Sequence, residues 1–198
     1  MNIEELKNSL LAAPKNGYAR LSAQEREEMG SYAKGYAAFI DACKTEREAV
    51  DWAVEQLKNR GFRELVPGMA LNPGDKVYRN VHNKALMAAV VGSESMNTGA
   101  RICAAHIDSP RIDLKPNPLY EDSGMAFLKT HYYGGIKKYQ WVTIPLALHG
   151  VVIRKDGTSV TITIGEDESD PILMITDLLP HLAADQMQKT AGQVIVGE

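Results

Sequence analysis

The feature that most constrains this chain is a single change in the spacing of its apolar residues. Before Pro67 they recur at helical intervals, and after Asn72-Pro73-Gly74-Asp75 they alternate or run together as they do in strands. A chain written this way folds as a helical layer leading into a sheet. Leu21 to Cys43 reads as one long helix opened by Ser22 with Glu25 three places on, a capping box in which each side chain satisfies the other's free backbone N–H. Met29, Tyr32, Ala33, Tyr36, Ala37 and Ile40 then form a stripe expected to pack into a core. Thr45 with Glu48 opens a second helix with the apolar face Val50, Ala53, Val54 and Leu57, and Gly61 ends it.

The β portion follows. Val77 to Arg79 and Ala85 to Val91 read as strands joined by a turn at Asn80 to Lys84. The run Ala100 to Ala105 is short and apolar, as in a strand buried on both faces, and it ends in His106-Ile107-Asp108-Ser109-Pro110. From about Lys115 the character shifts again. Pro116 and Pro118 are expected to break the chain, and a hairpin is expected from Val151 to Ile164 around Asp156-Gly157. Ile172 to Gln188 reads as helical in part, with Pro180 near a helix start.

Charge and composition narrow the partners. With 44% hydrophobic and 24% charged residues the chain can bury a core, and a net charge of −3 with both signs interspersed argues against nucleic acid and anionic membranes. No stretch approaches the roughly 20 apolar residues of a membrane span, and Met1-Asn2-Ile3-Glu4-Glu5 is acidic where a signal peptide is basic, so a cytoplasmic location is expected. Cys43 and Cys103 lack CxxC spacing and read as buried thiols.

Within this frame, His106 and Asp108 are the residues best suited to chemistry. Two apart in an extended segment, they can face one pocket. A neutral imidazole binds zinc well, and a neighbouring carboxylate can orient its ring. The triplet alone also fits an ordinary hydrogen-bonded histidine at a strand end, so both readings stand on residue chemistry. His82, His131 and His149 lie in separate segments and read as surface or hydrogen-bonded residues. Glu166, Asp167, Glu168 and Asp170 read as a solvated turn. Gly134-Gly135 lacks a GxGxxG pattern and reads as tight backbone packing. Tyr132, Tyr133, Tyr139 and Trp141 with Lys137 and Lys138 read as core or interface residues rather than a nucleic-acid surface.

Ala105-His106-Ile107-Asp108-Ser109-Pro110 resembles the AHxDSP signature of the M18 aminopeptidases. Tyr133-Gly134-Gly135-Ile136 with Trp141, Leu146 to Lys155, and Pro180-His181-Leu182-Ala183 follow in that family's order. Phe39 to Glu46 and Tyr132 to Gly150 resemble a bacterial branch of the family. The resemblance implies an α/β metallopeptidase catalytic domain interrupted by a β-rich dimerisation domain, here residues 1–114 and 115–198 respectively. It implies a hydrolase with two metal ions, normally zinc, that removes amino-terminal residues from peptides and assembles into homo-oligomers, dodecamers in the family. His106 carries over as a metal ligand and Asp108 as the catalytic-site carboxylate beside it.

The same resemblance puts the remaining metal ligands and the general-base glutamate past Glu198, because family chains are more than twice as long. A form without them would be inactive alone. The alternative class is a non-catalytic, truncated relative acting as an assembly or binding module. An interrupted sheet would also expose apolar surface and self-associate. Two departures bear on substrate: Trp141 is followed by Val142-Thr143-Ile144-Pro145 in place of the family's acidic and arginine residues, and Asp185 stands where many relatives have histidine. No acidic-residue preference is therefore carried over, and neither Asp185 nor His181 is assigned a role.

Overall fold

A computed structural model describes residues 2–12 and 16–195. Met1 at the acidic amino terminus, residues 13–15 and the last residues of the 115–198 span lie outside the described residues. The chain divides into two compact units, Met1–Cys43 and Lys44–Glu198.

The first unit is helical: α1 (Ile3–Leu10), α2 (Gly17–Arg20) and α3 (Ala23–Ala42). Reciprocal capping boxes open α1, through Asn2 and Glu5, and α3, through Ser22 and Glu25. The Asn2-Glu5 box is the signal by which α1 could have been read from sequence. No residue of α3 is buried, and Tyr32 is 80% exposed. The expectation that its apolar stripe forms core is therefore corrected. Helical spacing shows that one face is apolar; it does not supply the surface that covers it.

In the second unit Thr45 and Glu48 form the expected box at the start of α4 (Glu46–Asn59), and Gly61 follows its end at φ +81°. The helix packs on a three-stranded sheet of β1 (Arg63–Glu64), β2 (Lys76–Val81) and β3 (Ala85–Val90). β1 lies parallel to β2, and β2 pairs antiparallel with β3 from Lys76↔Val90 to Val81↔Ala85. His82 and Asn83 both take positive φ, 54° and 53°, the conformation that lets a two-residue turn follow the strand twist. The core sits between these layers, where Ala49 and Val50 of α4 and Val77 and Tyr78 of β2 are buried.

Two hairpins complete the unit. β4 (Arg111–Asp122) pairs antiparallel with β5 (Met125–Tyr133), and β6 (Leu148–Ile153) with β7 (Ser159–Ile164). The second is the hairpin expected around Asp156-Gly157, where the Asp156 carboxylate accepts from the Thr158 N–H at 2.9 Å and hydroxyl at 2.7 Å. Val142 and Leu146 bridge to Ile175 and Leu173, so the segment after β7 returns beside the one before β6. Gly165 makes this return at φ +98°, where a Cβ would come within 3.0 Å of Ala147 and of the Leu146 carbonyl.

Three local expectations are overturned. Ala100 to Ala105 forms no strand and Ile102 is 83% exposed; a strand needs a neighbour's ladder, and no described strand pairs with this run. Pro116 and Pro118 do not break the chain but lie inside β4, within a register shift between Leu114 and Leu119. A residue without an N–H fits a strand where the ladder is interrupted. Cys103 is exposed rather than buried. The stretch from Ile172 to Gln188 is helical in part, as expected, through the short 3₁₀ turns Pro180–Leu182, which Pro180 opens, and Gln186–Gln188.

Apart from the small core, large apolar side chains such as Met29, Tyr36, Met96 and Leu182 are exposed. Apolar surface of this extent is an association hazard. The purified chain is expected to sediment as dimers or larger species at micromolar concentration, and a single monomeric boundary would contradict this.

Candidate functional site

The site is built at the base of the β4–β5 hairpin. The ladder pairs Arg111, the first residue of β4, with Tyr133, the last of β5. The irregular segment carrying His106 and Asp108 enters β4 at this point. Gly134 turns the chain away from β5 at φ +73°, and a Cβ there would meet Pro110 at 3.3 Å. The tight packing expected of the glycine pair thus holds at Gly134 and not at Gly135, where a Cβ would meet nothing within 4 Å, and it brings the end of β5 against the segment before β4.

The structure brings His106 and Asp108 together. Nδ1 of His106 lies 2.9 Å from the main-chain oxygen of Asp108 and 3.4 Å from its Oδ1. A carbonyl oxygen only accepts, so Nδ1 carries the proton and the Nε2 lone pair is left outward. The Tyr133 hydroxyl donates to the other carboxylate oxygen of Asp108 at 2.8 Å. That hydrogen bond, with smaller help from backbone and His106, holds the Asp108 carboxyl below its ordinary range and raises the Tyr133 phenol above its own.

Asp108 lines an open cleft of about 360 Å³ with Glu46, Lys84, Ile107, Arg111 and Tyr133. His106, 81% exposed at its side chain, touches Asp108 but is not among the lining residues. The strand end expected to project the pair is absent, and the pair is held by its own hydrogen bonds and by Tyr133.

Arg111 organises the cleft. Its guanidinium stacks 4.5 Å from the centre of the Tyr133 ring, bonds Asp113 at 2.7 Å and reaches Glu46 at 3.5 Å. Glu46 opens α4, so the first turn of that helix is tied to the hairpin base. Sequence reasoning missed Arg111 and Glu46. Tyr133 stands in the sequence reading only as part of its glycine motif and of the aromatic group with Tyr132, Tyr139 and Trp141, and neither assigns it to the site.

The other histidines stay apart from this pair. His82 sits in the β2–β3 turn, and His131 in β5 contacts the Tyr132 carbonyl at 3.2 Å. His149, 12% exposed, stands between two carboxylates, Glu48 at 2.8 Å from Nδ1 and Glu166 at 2.9 Å from Nε2. Two acceptors on one ring hold both protons. Although desolvation opposes charge there, the hydrogen bonds and charges of Glu48 and Glu166 prevail and raise the His149 pKa above 6.5. The acidic run is a turn, as expected, in which Asp170 accepts from the Gly165 and Asp167 N–H groups, while Glu166 reaches out to His149.

A catalytic zinc needs about three protein ligands and an open position. His106 with Nδ1 engaged and Nε2 outward, beside an ionised Asp108, fits the histidine and orienting carboxylate of such a site. Among the described residues, no three of His, Cys, Asp or Glu are grouped to hold a metal ion.

Residues 39–194 match the model of the Aminopeptidase I zinc metalloprotease (M18) family. This chain belongs to the M18 family. Over 195 residues it is 48% identical to the probable M18 family aminopeptidase 1 of Clostridium acetobutylicum, spanning 96% of this chain and 42% of that protein. The crystal structure of aminopeptidase I from the same organism superposes with a TM-score of 0.82 at 42% identity, covering 95% of this chain and 42% of that one. The yeast mApe1 dodecamer structure is similar in fold, at a TM-score of 0.63 and 21% identity, covering 76% of this chain and 36% of that one. The mixed helix and sheet described above is thus part of the M18 architecture, and the chain spans 42% of the length of the C. acetobutylicum relative. No described helix is long and apolar enough to cross a membrane.

Proposed function

We propose that this M18 chain is the amino-terminal portion of a zinc-dependent aminopeptidase that removes amino-terminal residues from peptides. The observation that carries this reading is the His106–Asp108 pair, with Nδ1 engaged and Nε2 outward beside a cleft, in a chain whose family is a zinc metalloprotease family. His106 would bind zinc through Nε2, and Asp108 would hold its ring. Zinc, two ions per site by the family resemblance, would when bound supply a lowered water pKa and a polarised carbonyl. The chain's own groups orient that centre: Tyr133 fixes Asp108, and Arg111 fixes Tyr133. Residues 1–114 would belong to the catalytic domain and 115–198 to the inserted dimerisation domain, with β4 carrying the chain across. A cytoplasmic homo-oligomer is the setting proposed for it, in line with the dodecamer reported for yeast mApe1.

The test uses the longest polypeptide whose reading frame carries these residues. It is expected to cleave peptides with a free amino terminus, to leave their acetylated counterparts intact, to stop when zinc is chelated and to recover when zinc returns. Cleavage of acetylated and free peptides at equal rates would refute an aminopeptidase. A second reading is favoured by the lack of a three-ligand group among the described residues: a non-catalytic assembly module. It predicts no tight zinc site in calorimetric titration of that polypeptide.

A further inference from the structure

We infer that Tyr133 is a positioning residue for His106, acting through Asp108, and that Arg111 holds Tyr133 in place; this rests on the metal-ligand reading of His106. No described strand pairs with the segment from Ala100 to Pro110, so its hydrogen bonds to the hairpin decide where His106 stands. The bond from the Tyr133 hydroxyl to Asp108 Oδ2, at 2.8 Å, spans 25 residues of sequence and ties this segment to the end of β5. Asp108 then presents its main-chain oxygen and Oδ1 to Nδ1 of His106, at 2.9 and 3.4 Å. With both contacts on Nδ1, the ring is held in the tautomer that leaves Nε2 free.

Tyr133 is itself constrained. Its ring lies under the Arg111 guanidinium at 4.5 Å, and Arg111 is clamped by Asp113 at 2.7 Å and Glu46 at 3.5 Å. The ladder partnership of Arg111 with Tyr133 fixes the two backbones against each other. A relay therefore runs from the first turn of α4 through Arg111 and Tyr133 to the carboxylate and then the imidazole. Groups that orient a metal ligand in this way commonly change metal affinity by about 10–100-fold when removed.

Tyr133→Phe deletes only the hydroxyl and keeps the ring under Arg111. In the longest polypeptide carrying this chain, long-range ¹H–¹⁵N spectra recorded at a fixed pH above the histidine titration should show His106 as the Nδ1–H tautomer. Tyr133→Phe should shift it to a mixture of tautomers and weaken zinc binding about tenfold in competition with a chromogenic chelator. Tyr132→Phe, on the neighbouring residue, should change neither. An unchanged tautomer and zinc affinity in Tyr133→Phe would overturn the inference, as would a lowered melting temperature with the tautomer retained. If Tyr133→Phe does not fold, Arg111→Lys, which keeps the charge and loses the flat stack, should move both readouts in the same direction, and no movement would overturn the inference. A tautomer shift in a protein whose His106 signals do not respond to zinc would support the relay while refuting the metal-ligand reading itself.

Discussion

Replacing His106 with alanine in the polypeptide that carries this chain is expected to lower peptide hydrolysis by on the order of a thousandfold and to reduce bound zinc. The size follows from the loss of several kcal/mol of charge stabilisation when a catalytic metal is displaced, with each ~1.4 kcal/mol worth tenfold in rate. Asp108→Asn keeps the main-chain acceptor for Nδ1 but removes the charge that faces it, so a smaller loss of about 10–100-fold is expected. His82→Asn is the control, since asparagine tolerates the left-handed turn conformation that His82 adopts at φ 54°. Metal analysis alongside steady-state rates checks the claim. Full activity and full zinc content in His106→Ala would remove this residue from the site.

The second large effect is on stability. His149→Ala is expected to cost the Lys44–Glu198 unit about 1–3 kcal/mol near pH 6, because it deletes two charge-assisted hydrogen bonds and leaves Glu48 and Glu166 facing a gap. Most of this comes from the Glu48 side, where the pair is largely shielded; Glu166 is 48% exposed at its side chain and contributes less through solvent screening.

The pH dependence follows from both partners. His149 has a folded pKa raised above 6.5, so its contribution is fully present below 6.5 and is lost as pH rises through that higher value. Burial pushes the Glu48 carboxyl up, but bonds from His149, Lys44 and Thr45 outweigh it and hold the group below 4.5. Its contribution is present above 4.5 and is lost as pH falls through the lower folded value. The gap between wild type and His149→Ala should therefore be widest between about pH 4.5 and 6.5 and should narrow on either side. Denaturant melts at several pH values measure it. A gap independent of pH would show that His149 acts by packing alone.

What the sequence determined by itself is the set of features whose physical cause lies within a few residues. Ser22 with Glu25 and Thr45 with Glu48 start helices because each box satisfies backbone donors locally. Asp156-Gly157 makes a hairpin because its turn bonds close within the turn. The AHxDSP stretch and the motifs after it resemble M18 chains for the same reason: family signatures are runs of neighbouring residues. Only the tertiary structure decided what depends on a partner far along the chain. Helical spacing on α3 cannot create a covering surface, and an apolar run from Ala100 to Ala105 is not a strand until another strand pairs with it. The joining of His149 to Glu48, 101 residues away, and of Tyr133 to Asp108, 25 residues away, has no trace in local spacing, because hairpin closure and helix packing bring those atoms within hydrogen-bond reach.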